Sequence, residues 1–473
     1  MRGLLKNQSK ILSSKIQMTA ISISSNIKKE IQEFLKLAIP LASAQVAQSA
    51  TGFADTIMMG RLGQETLAAG GLAALTFMAL LNSAGGIVMG VSPLVAAAYG
   101  ANNKTRIEQL ARQGLWLSLL LSIPTAIALS HFDTWMRQLG QTETTVTLAN
   151  TYLDIMLWGL FPALGFAMLR GVVSGLSQAR PVMTIVIAGT LFNITGNYVL
   201  GFGKFGFPRL EMAGLALASI LSLWGMFLAL AIYILRHEKL KEYRIFQELH
   251  RIRPRIMAEI VRIGLPMGIS VALEVGLFTI VTYLMGALGT DVLAAHQIVF
   301  QTIVVIFMVP LGMSFAMTAR VGQWVGQQNL KAAKQAGIVG IAIAIIFMAI
   351  MSIALLVFPQ QVVGLYLDLD NPANANVLTL ALPMLTVAAI IQVLDGVQKT
   401  TMGALYGLQD TRVPMLLSLP TFWGVGLTSG YILGFPLGLG GVGLWIGQSI
   451  GVAIAAGVFV WRFQSLTSKS GNW

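Results

Sequence analysis

Apolar residues run in blocks of about 20 along nearly the whole chain, broken by short polar stretches, and each block is long enough to cross a bilayer as a tilted helix. Cutting at the polar breaks predicts twelve spans: 34–59, 68–98, 112–131, 149–172, 182–203, 211–235, 260–287, 293–322, 336–358, 376–407, 413–434 and 442–462. Residues 1–33 are polar and basic, with no short apolar core and cleavage site, so they read as a cytosolic tail and not as a signal peptide. RHEKLKEYRIFQELHRIRPR at 236–255 is the longest interior polar stretch and reads as a linker. The pattern predicts an all-α polytopic membrane protein. Its expected parts are a tail (1–33), a six-helix lobe (34–235), a cytosolic linker (236–259), a second six-helix lobe (260–462) and a tail (463–473).

Composition sharpens this picture. Of 473 residues 55% are hydrophobic and 11% charged, against about 25% charged in ordinary soluble domains, which excludes a soluble enzyme. A net charge of +12 raises nucleic acid as a partner, but the cations sit in the loops between apolar runs and build no basic face, so none is expected. They instead report orientation. With the N-terminus inside, 26 of the 31 lysines and arginines lie on the inner side, four (Arg61, Arg137, Lys204, Arg209) on the outer side, and Lys399 within a span. Both termini are therefore expected in the cytoplasm and the protein in the plasma (inner) membrane. Absence of cysteine excludes disulfides, thiolate metal sites and cysteine nucleophiles.

The chain also repeats itself. LAIP at 37–40 matches IGLP at 263–266, and LGQETLAA at 62–69 matches LGTDVLAA at 288–295, both at an offset of 226. GVVSGLSQAR at 171–180 matches GALYGLQDTR at 403–412, and NYVLGF at 197–202 matches GYILGF at 430–435. Several matches in one order at nearly one spacing indicate an internal duplication. Six spans per repeat is an even number, so both halves enter the membrane in the same sense, the parallel-repeat arrangement of many secondary transporters. The pair Gly171/Gly175 recurs as Gly403/Gly407 and reads as close helix packing.

Ionisable groups inside spans are costly and mark candidate sites. Gln45, Gln48, Gly52 and Asp55 form one polar stripe in span one, with Asp55 about 30 Å along the helix from Leu35 and so near the outer end. An interfacial aspartate capping the RLGQE loop is the competing reading. Glu274 lies about 21 Å from the inner start of span seven, and Asp395 about 18 Å from the inner end of span ten. Equal depth lets the two carboxylates meet in one cation site. Gln392, Asp395 and Lys399 share a helix face, which leaves a plain Asp395 to Lys399 neutralising pair as the alternative for Asp395. Asn193 and Asn197, four apart in span five, either ligate a substrate or bond across helices. His296 and Gln297 begin span eight, where the histidine reads as interfacial. Among 23 methionines and 22 phenylalanines, a subset suits an adaptable apolar pocket. There is no G-x-x-x-x-G-K-[ST] loop, which argues against ATP-driven pumping by this chain, and no recognisable catalytic set that would make it an enzyme.

The motifs GFADTIMMGRLG at 52–63, FNITGNYVLGFGKFG at 192–206, GLPMGISVALEVGLFT at 264–279, LAAHQ at 293–297 and LDGVQKTTMGALYGLQD at 394–410 resemble those of the multidrug and toxic compound extrusion (MATE) transporters, in particular the bacterial NorM-like branch. The resemblance runs from about residue 34 to 462. It implies a twelve-helix, two-lobed antiporter that exports organic cations against Na⁺ or H⁺ by alternating access. On the matching positions, Glu274, Asp395 and Gln297 form the coupling-cation group, with Glu274 and Asp395 as the metal ligands if the ion is Na⁺. Asp55, Asn193, Asn197 and Gln48 form the polar group of the first lobe, for substrate or proton relay. No cofactor is implied beyond the coupling ion; small organic cations and membrane lipid are the expected partners, and a monomer is the expected state. A lipid-linked precursor flippase of related architecture is the alternative, yet a diphosphate calls for several intramembrane cations and only Lys399 qualifies.

Overall fold

The computed structural model describes residues 2–138, 140–369 and 371–468, with side chains from Ile27 onward. These residues are helical almost throughout, and no strand occurs among them. The membrane helices are α1 (Arg2–Leu62), α2 (Gln64–Gly100), α3 (Lys104–Gln138), α4 (Glu143–Gly175), α5 (Arg180–Gly201), α6 (Glu211–Arg236), α7 (Pro254–Ala287), α8 (Thr290–Gly326), α9 (Leu330–Val357), α10 (Pro372–Gly407), α11 (Arg412–Gly434) and α12 (Gly440–Ser468). The last eleven are long and apolar enough to cross a membrane. α1 is the twelfth; its polar stripe keeps it below that apolarity, and it is held by packing against α8 and α5.

Helix starts and membrane entries differ. α1 runs unbroken through residue 33, where polarity placed the end of a tail, and α7 begins at Pro254, six residues before the expected 260. Proline at the first turn suits a helix start because it has no N–H to leave unpaired. Between α6 and α7 the linker contains one short turn of helix, Glu238–Lys241. Lys104 meets Glu242 at 2.5 Å and holds that carboxyl below its usual range.

Duplication is visible in the backbone itself. Gly63 and Gly289, in the matching LGQE and LGTD turns, have φ of 142° and 127°, a region closed to other residues. Asn103 and Asn329 each cap the next helix, accepting at 3.0 Å from the amides of Arg106 and Ala332. Pro40 and Pro266 interrupt α1 and α7 at the same register. The small-residue pairs pack as their spacing suggests: Gly171 and Gly175 of α4 lie on α2, and Gly403 and Gly407 of α10 lie on α8.

The two halves meet through equivalent surfaces. Gly86 of α2 approaches Gly268 of α7, and at the repeat-related positions Gly312 of α8 approaches Ala42 of α1. Deeper toward the basic loops, a Cβ on Gly100 would overlap the backbone of Gln323, and one on Gly326 the backbone of Ala97. Polar ties reinforce this end. Glu30 of α1 receives Arg320 of α8 through Nε at 2.9 Å and Nη2 at 2.6 Å, Arg106 pairs with Glu259, and Gln323 donates to Gly175 O at 2.9 Å and Ser177 Oγ at 2.8 Å. Among the described residues, every hydrogen bond and ion pair between the halves lies toward the basic loops. The molecule is thus two six-helix bundles clasped at one end.

Candidate functional site

In the N-terminal half, the aspartate of the polar stripe faces across to α5. Asn197 donates to Asp55 at 2.5 Å and to Asn193 Oδ1 at 3.1 Å, and Asn193 donates to Ser219 Oγ on α6 at 3.1 Å. Both asparagines are buried, and Asn197 Oδ1 has no partner. A turn of π-helix begins at Asn197, a local widening that recurs at functional positions in helices. Thr51 and Thr190 bond at 2.9 Å just below this network. Asp55 is therefore not a cap on the α1 to α2 turn. Its side chain bonds Asn197 instead, 142 residues away.

The stripe on α1 splits. Gln45 accepts from Arg170 Nη1 of α4 at 2.7 Å, and that guanidinium lies 4.9 Å from the ring centre of Phe315 on α8. Gln48 is exposed and makes no hydrogen bond within the Asp55 network. If Asp55 serves export through this network, Asp55→Asn lowers drug resistance by about tenfold at normal membrane levels, the scale of one charged hydrogen bond. Wild-type resistance in that variant would remove Asp55 from the working site.

In the C-terminal half, Glu274 of α7 and Asp395 of α10 come to one place together with Lys399. The ammonium of Lys399 lies 2.6 Å from Glu274 Oε2 and 5.2 Å from the ring centre of Phe307 on α8. Asp395, one turn earlier on α10, is near enough to interact electrostatically with both. The neutralising pair that spacing left as the alternative, Asp395 with Lys399, is not the contact formed; Lys399 pairs with Glu274, because the four-carbon stem lets the ammonium reach the neighbouring helix. Gln392, 1% exposed, lies on the same face, with neither amide atom hydrogen-bonded.

Gln297 does not join this group. Consecutive residues on a helix point about 100° apart, and here His296 is the inward one. His296 is 1% exposed, 3.2 Å from Thr282 Oγ1 and stacked on Phe300, whereas Gln297 is exposed. The histidine is thus packed inside the half, against Thr282, Phe300 and Trp445. No group of three or more His, Asp or Glu side chains able to hold a metal ion forms among the described residues. Any Na⁺ at either place would draw on amide, hydroxyl or backbone oxygens beside its carboxylates.

Two clasped helix bundles, each holding a partly exposed carboxylate among polar partners within a membrane span, are the arrangement of a membrane transporter. Comparison with known proteins specifies the kind. The sequence model of the family described as MatE matches residues 40–199 and again 266–432, the two halves of the duplication. A Synechocystis protein described as a probable multidrug resistance protein NorM is 54% identical over 449 residues, covering 95% of this chain and 97% of its own. Its Synechococcus counterpart is 56% identical over 443 residues, covering 94% and 96%. Among solved structures, a MATE in complex with MaL6 superposes with a TM-score of 0.84 at 25% identity, covering 93% of this chain and 98% of that one. An outward-facing multidrug resistance MATE transporter superposes with a TM-score of 0.85 at 24% identity, with 93% and 97% covered. The chain belongs to the MATE family of multi-pass membrane transporters.

Proposed function

We propose that the chain exports organic, mainly cationic, drugs and toxic metabolites across the plasma membrane in exchange for Na⁺ or H⁺, with both termini in the cytoplasm. The observation that carries this reading is the cluster of Glu274, Asp395 and Lys399, two carboxylates and one ammonium brought together between the helices of one bundle. A carboxylate within a membrane span binds a cation more strongly than one in open water, because its surroundings solvate the charge less well. Coupling then requires only that substrate and coupling ion favour opposite arrangements of the two bundles. With the basic loops cytoplasmic, a clasp at that end is the outward-open arrangement. Kinship with proteins described as probable multidrug resistance proteins supports the drug-export part.

Against the lipid-linked precursor alternative, Lys399 is paired with Glu274 and offers a diphosphate no free charge. Drug-sensitive cells expressing the chain gain resistance to ethidium and similar lipophilic cations well above any gain toward anionic compounds of like size. A preference for anions in minimum inhibitory concentrations would contradict the assignment.

A further inference from the structure

Lys399 is an unusual occupant of a cation site. Its side chain is 5% exposed and its ammonium is in contact with Glu274, so one of the two carboxylates is already spoken for. Asp395 interacts with both charges without an ion pair at contact distance among the described residues. One turn earlier on the same helix face, the buried amide of Gln392 has no hydrogen-bond partner. Two carboxylates and one ammonium carry a net charge of −1. In a poorly solvating environment, a site is most stable when its guests bring the total charge to zero.

We propose that Lys399 sets the charge capacity of this site: as a tethered cation on Glu274, it limits the site to one monovalent coupling cation per transport cycle. This rests on the reading of Glu274 and Asp395 as the coupling site. Two protons or two Na⁺ ions would leave the wild-type site at +1, whereas one leaves it neutral. Without the ammonium the site is at −2 and takes two. Exchange of one monovalent drug cation for one coupling cation moves no net charge. Exchange for two moves one positive charge inward per cycle, so the membrane potential becomes a driving force.

The test uses the full chain in liposomes loaded with ethidium, at equal pH and equal Na⁺ on both sides, with an inside-negative potential of about 100 mV imposed by K⁺ and valinomycin. Relative to protein-free liposomes, the wild type adds no potential-driven export. Lys399→Met, which keeps the apolar stem, adds export with a limiting gradient of up to about fiftyfold, the equivalent of one charge across that potential. Glu274→Gln, with a site charge of zero, loses ion-driven export. Glu274→Gln/Lys399→Met returns the site to −1 and recovers ion-driven, potential-insensitive export; it leaves one carboxylate where Lys399→Met leaves two, so it decides the matter even if Lys399→Met fails to fold. Potential-insensitive export by Lys399→Met, or no recovery in the double variant, would overturn the proposal. Undiminished ion-driven export by both Glu274→Gln and Asp395→Asn would instead overturn the coupling-site reading beneath it.

Discussion

Glu274→Gln and Asp395→Asn should each lower ion-driven export by about 100-fold or more, because a site of net charge −1 that loses one carboxylate has no charge left to hold a coupling cation. Insertion and drug binding should persist. In Glu274→Gln the ammonium of Lys399 loses its 2.6 Å partner, and Asp395 is the nearest carboxylate to which it can turn. Asp395→Asn leaves the Glu274 to Lys399 pair intact and removes the charge available to a guest. Export in the double variant should be no worse than in either single one, the non-additivity expected of groups in one network. Its stability should nonetheless fall by about 3–5 kcal/mol, since a buried ammonium is left with no carboxylate. Thermal melting in detergent separates the two effects, and a double variant as stable as the wild type would mean that Lys399 finds another anion.

The second large effect concerns the clasp. Gly100 and Gly326 occupy repeat-related positions, each against the backbone of the opposite half, where any side chain collides with main chain that cannot rotate away. Gly100→Val and Gly326→Val should each cut export by about tenfold or more, and by similar amounts, because overpacking a tight contact costs about 1–3 kcal/mol or more in the clasped state alone. The chain has no cysteine, so a single Ser177→Cys beside the Gln323 contact is a clean reporter. Both valine variants should raise its labelling from the basic-loop side. Normal export with unchanged labelling would show that the halves part elsewhere.

Much of this architecture is legible in the sequence. Spans follow from hydropathy because the bilayer imposes both length and apolarity, and the duplication follows because its turns need particular residues: Gly63 and Gly289 for positive φ, Asn103 and Asn329 for capping. The helix starts of α1 and α7 are not, because polarity marks entry into the membrane and a helix continues past it. Depth arithmetic brings Glu274 and Asp395 to one level, and the structure sets both near Lys399, which contacts Glu274. The partner of Lys399 was hidden by its own reach: a spacing of four suggests a same-helix pair, while the long stem crosses to α7. Choosing between His296 and Gln297, or between Gln45 and Gln48, needs the rotation of a helix about its axis, which depends on neighbours that one helix does not encode. Arg170 illustrates the point, since it counts as a loop cation by position yet packs against Phe315 of the other half.

The most direct test of the central claim, that this is a cation-coupled exporter driven through the carboxylates of the C-terminal half, is ethidium efflux from proteoliposomes under a Na⁺ gradient and a pH gradient applied separately, for the wild type, Glu274→Gln and Asp395→Asn at matched protein density. Wild-type export driven by at least one of the two gradients and lost in both variants is the predicted result. Export that ignores both gradients, or that survives intact in both variants, would contradict the account.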